Sequence, residues 1–311
     1  MEGRQPPVGV LGGDDGMRAG TSRVGRAARV LVVVLALAGA AACSSDDGGG
    51  DEPAAAASTS SSPSPTPTPA PPPPPAPADG ACYRVSYDEA LAPTNSEPAL
   101  DCGKPHTSQT YAVGELDLVA GGHLLAVDSE AARRQVARRC PTRLAAYVGA
   151  TPEQLRLSLL RAVWFTPTIE DSDAGAAWYR CDVIAVTGDQ SVAKFTGDLK
   201  GAFKRPAGDD FAMCGTAQPG SPGFTRVLCR DDHTWKAISV VDLSAGAKGP
   251  PNRPAYPGEK VVRAAGEDTC QDAARAIASD ALDYEWGYEW PTAEQWQAGQ
   301  TYGRCWAPDP D

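Results

Sequence analysis

The sequence predicts an α+β protein made of two tandem, small, disulfide-framed domains, each a short antiparallel sheet with one main helix. Three observations carry this expectation. Eight cysteines fall into two matching sets of four, a short motif recurs at the second cysteine of each set, and one strand–strand–helix–strand pattern follows twice. The sets are Cys82, Cys102, Cys140 and Cys181, then Cys214, Cys229, Cys270 and Cys305.

The elements read in order from the N-terminus. Residues 1–42 have the pattern of a signal peptide, and Met17 suits its start better than Met1, because Glu2, Asp14 and Asp15 do not belong in a positively charged leader. From Met17 the chain runs through Arg18, Arg23, Arg26 and Arg29 into an apolar run of 13 residues, Val30 to Ala42. That length fits a secretory core and falls short of the ~20 residues of a membrane-spanning helix. The small residues Gly39-Ala40-Ala41-Ala42 before Cys43 resemble the lipobox of bacterial lipoproteins, in which the cysteine is acylated and becomes the new N-terminus. Ala40-x-Ala42 also suits an ordinary signal peptidase. Cys43 is the odd one of nine cysteines, and this favours its lipidation. Two acyl chains at ~0.8 kcal/mol per buried methylene anchor a protein stably.

Residues 43–80 then read as the lipidated cysteine followed by a disordered, proline-rich tether. Eleven of the 29 prolines lie between Pro53 and Pro77. Such a composition buries too little surface to offset its ordering entropy, and as polyproline II it reaches roughly 100 Å. The folded part is expected as a first repeat over 81–187, an inter-repeat segment over 188–212 and a second repeat over 213–311. Cys102-Gly-Lys-Pro-His106-Thr107 matches Cys229-Arg-Asp-Asp-His233-Thr234, and a strand-like run ending Asp-Leu follows each. Helical patterns at Asp128–Val148 and Gly258–Leu282 carry the third cysteines. The stretch from Pro167 to Cys181 then aligns without gaps with Pro291 to Cys305, with seven identities in 15 positions. Four cysteines allow three pairings per repeat. The reading favours first with second, tying neighbouring strands, and third with fourth, pinning helix to last strand: Cys82–Cys102, Cys140–Cys181, Cys214–Cys229 and Cys270–Cys305. In an exported chain such cysteines are bridges before they are ligands or nucleophiles.

Charge narrows the function classes. With 28 basic and 39 acidic residues the net charge is -11, and without the signal segment it is -13. Nucleic-acid binding through a broad basic surface is thereby excluded as an expectation. No C-x-x-C, G-x-S-x-G, H-E-x-x-H or phosphate loop is present. Ser191-Val192-Ala193-Lys194 has the S-x-x-K spacing of penicillin-recognising enzymes, but no K-T-G follows it. Glu170 to Asp173 lacks the alternation of a calcium loop. The expectation is no enzyme, no cofactor and no metal.

Tyr256-Pro257-Gly258-Glu259, the helix with Cys270, Trp290-Pro291-Thr292-x-x-x-Trp296-x-x-Gly299 and the final Cys305 resemble the septum formation domain. Its other marks occur as Cys82-Tyr83 and Cys102-Gly-Lys-Pro105-His106, so the resemblance covers about residues 80–306. The first repeat has Phe165-Thr166 before its Pro167-Thr168 and Asp173 near the place of the second tryptophan, and the second has Asp232 where proline precedes histidine. The resemblance implies an extracytoplasmic envelope protein of high-GC Gram-positive bacteria, associated with division septa and carrying no established reaction. Expected partners are membrane lipid through Cys43 and division proteins or cell wall. A glycan-binding module and an undetected envelope hydrolase are the alternatives.

The residues singled out for a binding surface are His106, His233, Trp286, Trp290 and Trp296. The histidines stand at equivalent places, suited either to a contact or to holding a turn beside a disulfide. The tryptophans, with Tyr284, Tyr288 and Tyr302, crowd the end of the second repeat, suited either to stacking on sugar rings or to filling a small core. His123 reads as a loop residue.

Overall fold

The computed structural model describes residues 71–188, 190–245, 247–250 and 254–309. The expected signal peptide, Cys43 and most of the expected tether lie outside them. Residues 71–78 have no regular structure and lead into the first strand.

The first sheet holds β1 (Cys82–Tyr83), β2 (Ser108–Glu115), β5 (Leu160–Phe165) and β6 (Trp178–Ala185) in the order β1-β2-β6-β5, all antiparallel. A hairpin of β3 (Val119–Ala120) and β4 (His123–Leu124) stands exposed beside it. Short helices α1 (Tyr87–Leu91), α3 (Pro152–Arg156) and α4 (Ile169–Asp173) fill the connections, each opened by a Ser or Thr side chain that accepts a backbone N–H. The main helix, α2 (Glu130–Val148), starts at the Ser129 cap and stops at Gly149, whose φ of 74° few other residues adopt. Its buried residues, Ala132, Val136, Cys140, Leu144 and Val148, recur every four positions and form one stripe against the sheet.

The second sheet is built from β7 (Met213–Gly215), β8 (Arg226–Leu228), β9 (Trp235–Asp242), β10 (Gly287–Glu289) and β11 (Tyr302–Pro308), in the order β10-β11-β9-β7-β8. Its helix α5 (Glu259–Ile277) buries Val262, Gly266, Cys270 and Ala274, again every fourth residue. It ends five positions before the sequence pattern suggests, at Ala278, whose backbone is extended; beyond it the Asp280 side chain accepts the Leu282 N–H. Gly266 is glycine for a packing reason. A Cβ there would overlap the ring of Tyr288, whose hydroxyl donates to the Val262 carbonyl at 2.8 Å. Helix α6 (Ala293–Gln297) opens on a Thr292–Gln295 capping box.

Both sheets carry a bulge at the strand facing the helix disulfide. In the first, register shifts between Thr110 and Ala112, beside Cys181; in the second it shifts between Cys305 and Trp306. Four disulfides join Cys82 to Cys102, Cys140 to Cys181, Cys214 to Cys229 and Cys270 to Cys305, with Cα separations of 5.4, 5.4, 4.9 and 4.9 Å. Within each half one bridge ties the first strand to the turn before the next long strand, and the other fastens the main helix to the last strand.

Where the sequence predicts two tandem small domains, the described residues form one compact unit. The largest core takes Val136, Leu144, Leu160 and Val183 from the first half and Met213, Leu228, Trp235 and Trp306 from the second. The seam is also closed by backbone bonds, Leu159 N–H to Phe211 O at 3.0 Å and Met213 N–H to Leu157 O at 2.8 Å. The segment over 188–212 contributes buried Phe195, Leu199, Ala202 and Phe211 to that same core.

Loop closure separates the bridges energetically. Cys140–Cys181 spans 41 residues and Cys214–Cys229 spans 15. The entropic difference favours the longer loop by about 1 kcal/mol. Urea unfolding of the two double Cys→Ala variants should therefore show the Cys140/Cys181 pair to be the more damaging by about that amount; equal losses would refute it.

Candidate functional site

His106 and His233 perform the same local task in the two sheets. Each places Nδ1 2.8 Å from the carbonyl two residues back, Lys104 O and Asp231 O, which closes the turn after the disulfide. The next residue finishes it: the Thr107 hydroxyl donates to Val85 O at 2.7 Å, and the Thr234 hydroxyl donates to Thr216 O at 3.0 Å. The recurrent cysteine–histidine–threonine motif is thus a device for turning the chain into its long strand. Their second nitrogens differ. His106 is fully buried against Phe195, ring centroids 4.4 Å apart, and its Nε2 has no protein partner. His233 Nε2 lies 3.4 Å from the Asp309 carboxylate. Cys214, Cys229 and His233 bring three donor atoms together, but both sulfurs are committed to a disulfide and offer no thiolate. His123 sits exposed on β4.

The three tryptophans contribute to the second hydrophobic cluster. Trp296 is 3% exposed, donates Nε1–H to Pro254 O at 2.7 Å and meets Tyr256 edge-on. Trp290 and Trp286 are half-buried against the same cluster, with the Arg263 guanidinium 5.2 Å from the Trp290 ring.

A different feature was not legible in local spacing. Helix α2, α3 and β5 of the first half face α6 and β11 of the second across an open groove of about 760 Å³. Its floor is apolar, with Leu144, Leu155, Leu160 and Trp164. Its polar walls carry Arg156, Arg161 and Arg304, three glutamines and no carboxylate. Arg304 donates through Nε to Arg156 O at 3.0 Å, and Arg156 stacks on the Tyr302 ring at 4.6 Å. Arg161 donates to Ser158 O and Leu160 O at 2.9 and 2.7 Å. Burial pulls its guanidinium down to about 10, against the Tyr302 hydroxyl and with the help of Arg304 and Arg226, so it keeps its charge at neutral pH. The carboxylate behind this cluster, Glu289, pairs with Arg226 and accepts the Trp306 indole N–H at 3.0 Å.

The family model described as septum formation matches residues 79–305. The chain belongs to the septum formation family. The match runs from Asp79 to Cys305, taking in both sets of cysteines, both histidine turns and every residue lining the groove. No curated protein and no solved structure matches the chain. The septum formation motif residues thus have physical roles here as framework: caps, turns, bridges and core.

Burial of His106 disfavours its charged form and lowers its pKa below the usual histidine value, with the bond to Lys104 opposing. The unfolded chain then takes up its proton first as pH falls through about 6.5, so stability declines below that pH. Urea midpoints of wild type and His106→Gln between about pH 7.5 and pH 5.5 should show the steeper decline in wild type, by at most about 1.4 kcal/mol per pH unit. Parallel profiles would contradict the assignment.

Proposed function

We propose that this protein is a membrane-anchored, extracytoplasmic interaction module that acts without catalysis in septum formation. The carrying observation is the family match, which spans nearly the whole described unit. Two physical features support the compartment. Four disulfides suit an oxidising environment, and among the described residues no helix is long and apolar enough to cross a membrane. The anchor in this reading is the acylated Cys43, and the proline-rich stretch behind it holds the folded unit off the membrane among division proteins or cell wall.

The same reading takes the chain as a tandem duplication. The aligned cysteines support it, as do the shared strand order around each long strand, the bulge beside each helix disulfide and the threonine-capped short helix before each last strand. A duplicated unit fused across one core gives a rigid body with two unlike copies of each surface. Such a body suits bridging partners better than turning over a substrate.

The reading is tested in dividing cells with a tag that fluoresces outside the membrane. The full-length protein should concentrate at septa, and the Cys43→Ala form should be released to the medium. An even distribution around the envelope would reject the septal role, and retention of Cys43→Ala at the membrane would reject the lipid anchor.

A further inference from the structure

The first half of the chain holds a proline-rich segment against one of its turns. The short helices α4 and α6 end alike: Ala174 and Ala298 close them, and Gly175 and Gly299 follow with φ of 99° and 101°. An aromatic residue, Trp178 or Tyr302, stands three positions beyond each glycine. A Cβ built on Gly175 would lie 3.3 Å from Cβ of Pro73, in the last part of the proline-rich stretch. Among residues 71–78 only Pro74 and Pro77 are half-buried, and that spacing is one turn of a polyproline II segment lying with one edge on a surface. A Cβ built on Gly299 meets nothing within 4 Å. The aligned turn of the second half is therefore bare, and it forms part of the groove wall.

The groove around that bare turn suits the same kind of segment. Polyproline II has no internal hydrogen bonds and its prolines carry no N–H, so it offers carbonyl acceptors and apolar ring edges. A matching surface supplies N–H donors and aromatic or aliphatic faces. The groove has both: Trp164 and the leucines of its floor, then Gln297 and Arg156 on its walls, with no carboxylate. Gln297 is exposed and Trp164 half-buried, and neither side chain makes a hydrogen bond among the described residues. We propose that the groove binds the proline-rich tether of a second copy of this chain. The occupant is residues 62–70, an uncharged stretch with proline at every second position. Its prolines lie over Trp164, Leu155 and the Ala298-Gly299 turn, and its carbonyls accept from Gln297, Arg156 and the Trp164 indole. The source is a second copy because each chain seats its own tether on the first turn, beside Gly175. Two copies that exchange tethers close a symmetric pair. Anchored to one membrane, they meet at a raised local concentration, where a weak contact suffices.

The test uses the chain from residue 44 to 311, tether included, and a synthetic peptide of residues 62–70. Sedimentation should show a reversible dimer as the concentration rises toward about 1 mM, and excess peptide should return it to monomer. In dilute solution, calorimetry should show one peptide bound per chain, at least tenfold more tightly than a peptide with its prolines replaced by alanine. Ala298→Glu changes an exposed helix end and sets a carboxylate against the peptide carbonyls, so it should weaken dimer and peptide binding at least tenfold. Ala174→Glu, at the aligned turn of the first half, should leave both unchanged. No peptide bound at about 10 mM, equal binding of the alanine peptide, or binding indifferent to Ala298→Glu would overturn the proposal. An equal loss in Ala174→Glu would place the site outside the groove and overturn it too. Peptide binding to a chain that stays monomeric would overturn the second copy as the source. All these outcomes are read on the isolated chain and none bears on septal enrichment, so the two readings fail separately.

Discussion

The covalent fastening of each main helix to its last strand is the constraint on which the remaining structure depends. Cys140 and Cys270 each sit inside a stripe of buried residues spaced by four, so the bridge fixes the rotation of the helix as well as its position. Once that rotation is set, Tyr111 and Tyr288 can reach the helix, donating their hydroxyls to Cys140 O and Val262 O. Gly266 then has to be glycine, and the sheet has to bulge where the cysteine-bearing strand meets its neighbour. A sheet of four or five short strands buries a limited core, and a bridge worth ~2–4 kcal/mol is a large share of such a domain's stability.

A second constraint follows from the first. Each half alone has one sheet face covered by its helix and apolar surface left over. The halves cover that surface together, through Leu159, Leu160, Met213 and Trp306, with Phe195 and Phe211 of the connecting segment wedged between. Within the first sheet, the buried Arg180–Asp182 pair sits at the crossing of these demands. Burial pushes the Asp182 carboxyl upward while Arg180, Thr110 and Ser108 hold it down, and Arg180 lies 3.8 Å from the Tyr83 ring. Breaking either partner of such a pair leaves an uncompensated charge in the core, which is strongly destabilising.

Local signals account for what the sequence made legible. The two matching cysteine sets, the helical patterns that carry the third cysteines and the recurrent cysteine–histidine–threonine motif each announce themselves in the order of the chain. The mixed helix and antiparallel sheet architecture followed from them. The shared core did not, because the seam is made of backbone bonds and aliphatic contacts between residues far apart in sequence. Residues 188–212 read as a connection, although Phe195, Leu199 and Phe211 are buried there. The groove was equally hidden. Arg156 and Arg304 lie 148 positions apart, and no spacing rule unites them. The one available signal was the arginine preceding the last cysteine of each set, visible as an identity in the alignment but not as the wall of a groove.

That arginine shows how two similar halves come to differ in kind. At aligned positions one sheet buries arginine with aspartate and the other buries arginine with tryptophan. In the first, Asp182 stands 3.3 Å from Arg180, whose guanidinium lies against Tyr83 and Phe165. In the second, tryptophan cannot accept a hydrogen bond from a guanidinium, and Arg304 turns instead to Arg156 O, the Tyr302 hydroxyl and Glu289. The charge that the first sheet balances within one strand is balanced in the second by Glu289 on the neighbouring strand, while Arg304 Nε donates to Arg156 O of the opposite half. The second sheet's buried arginine therefore also ties the two halves together, a task that Arg180 does not share.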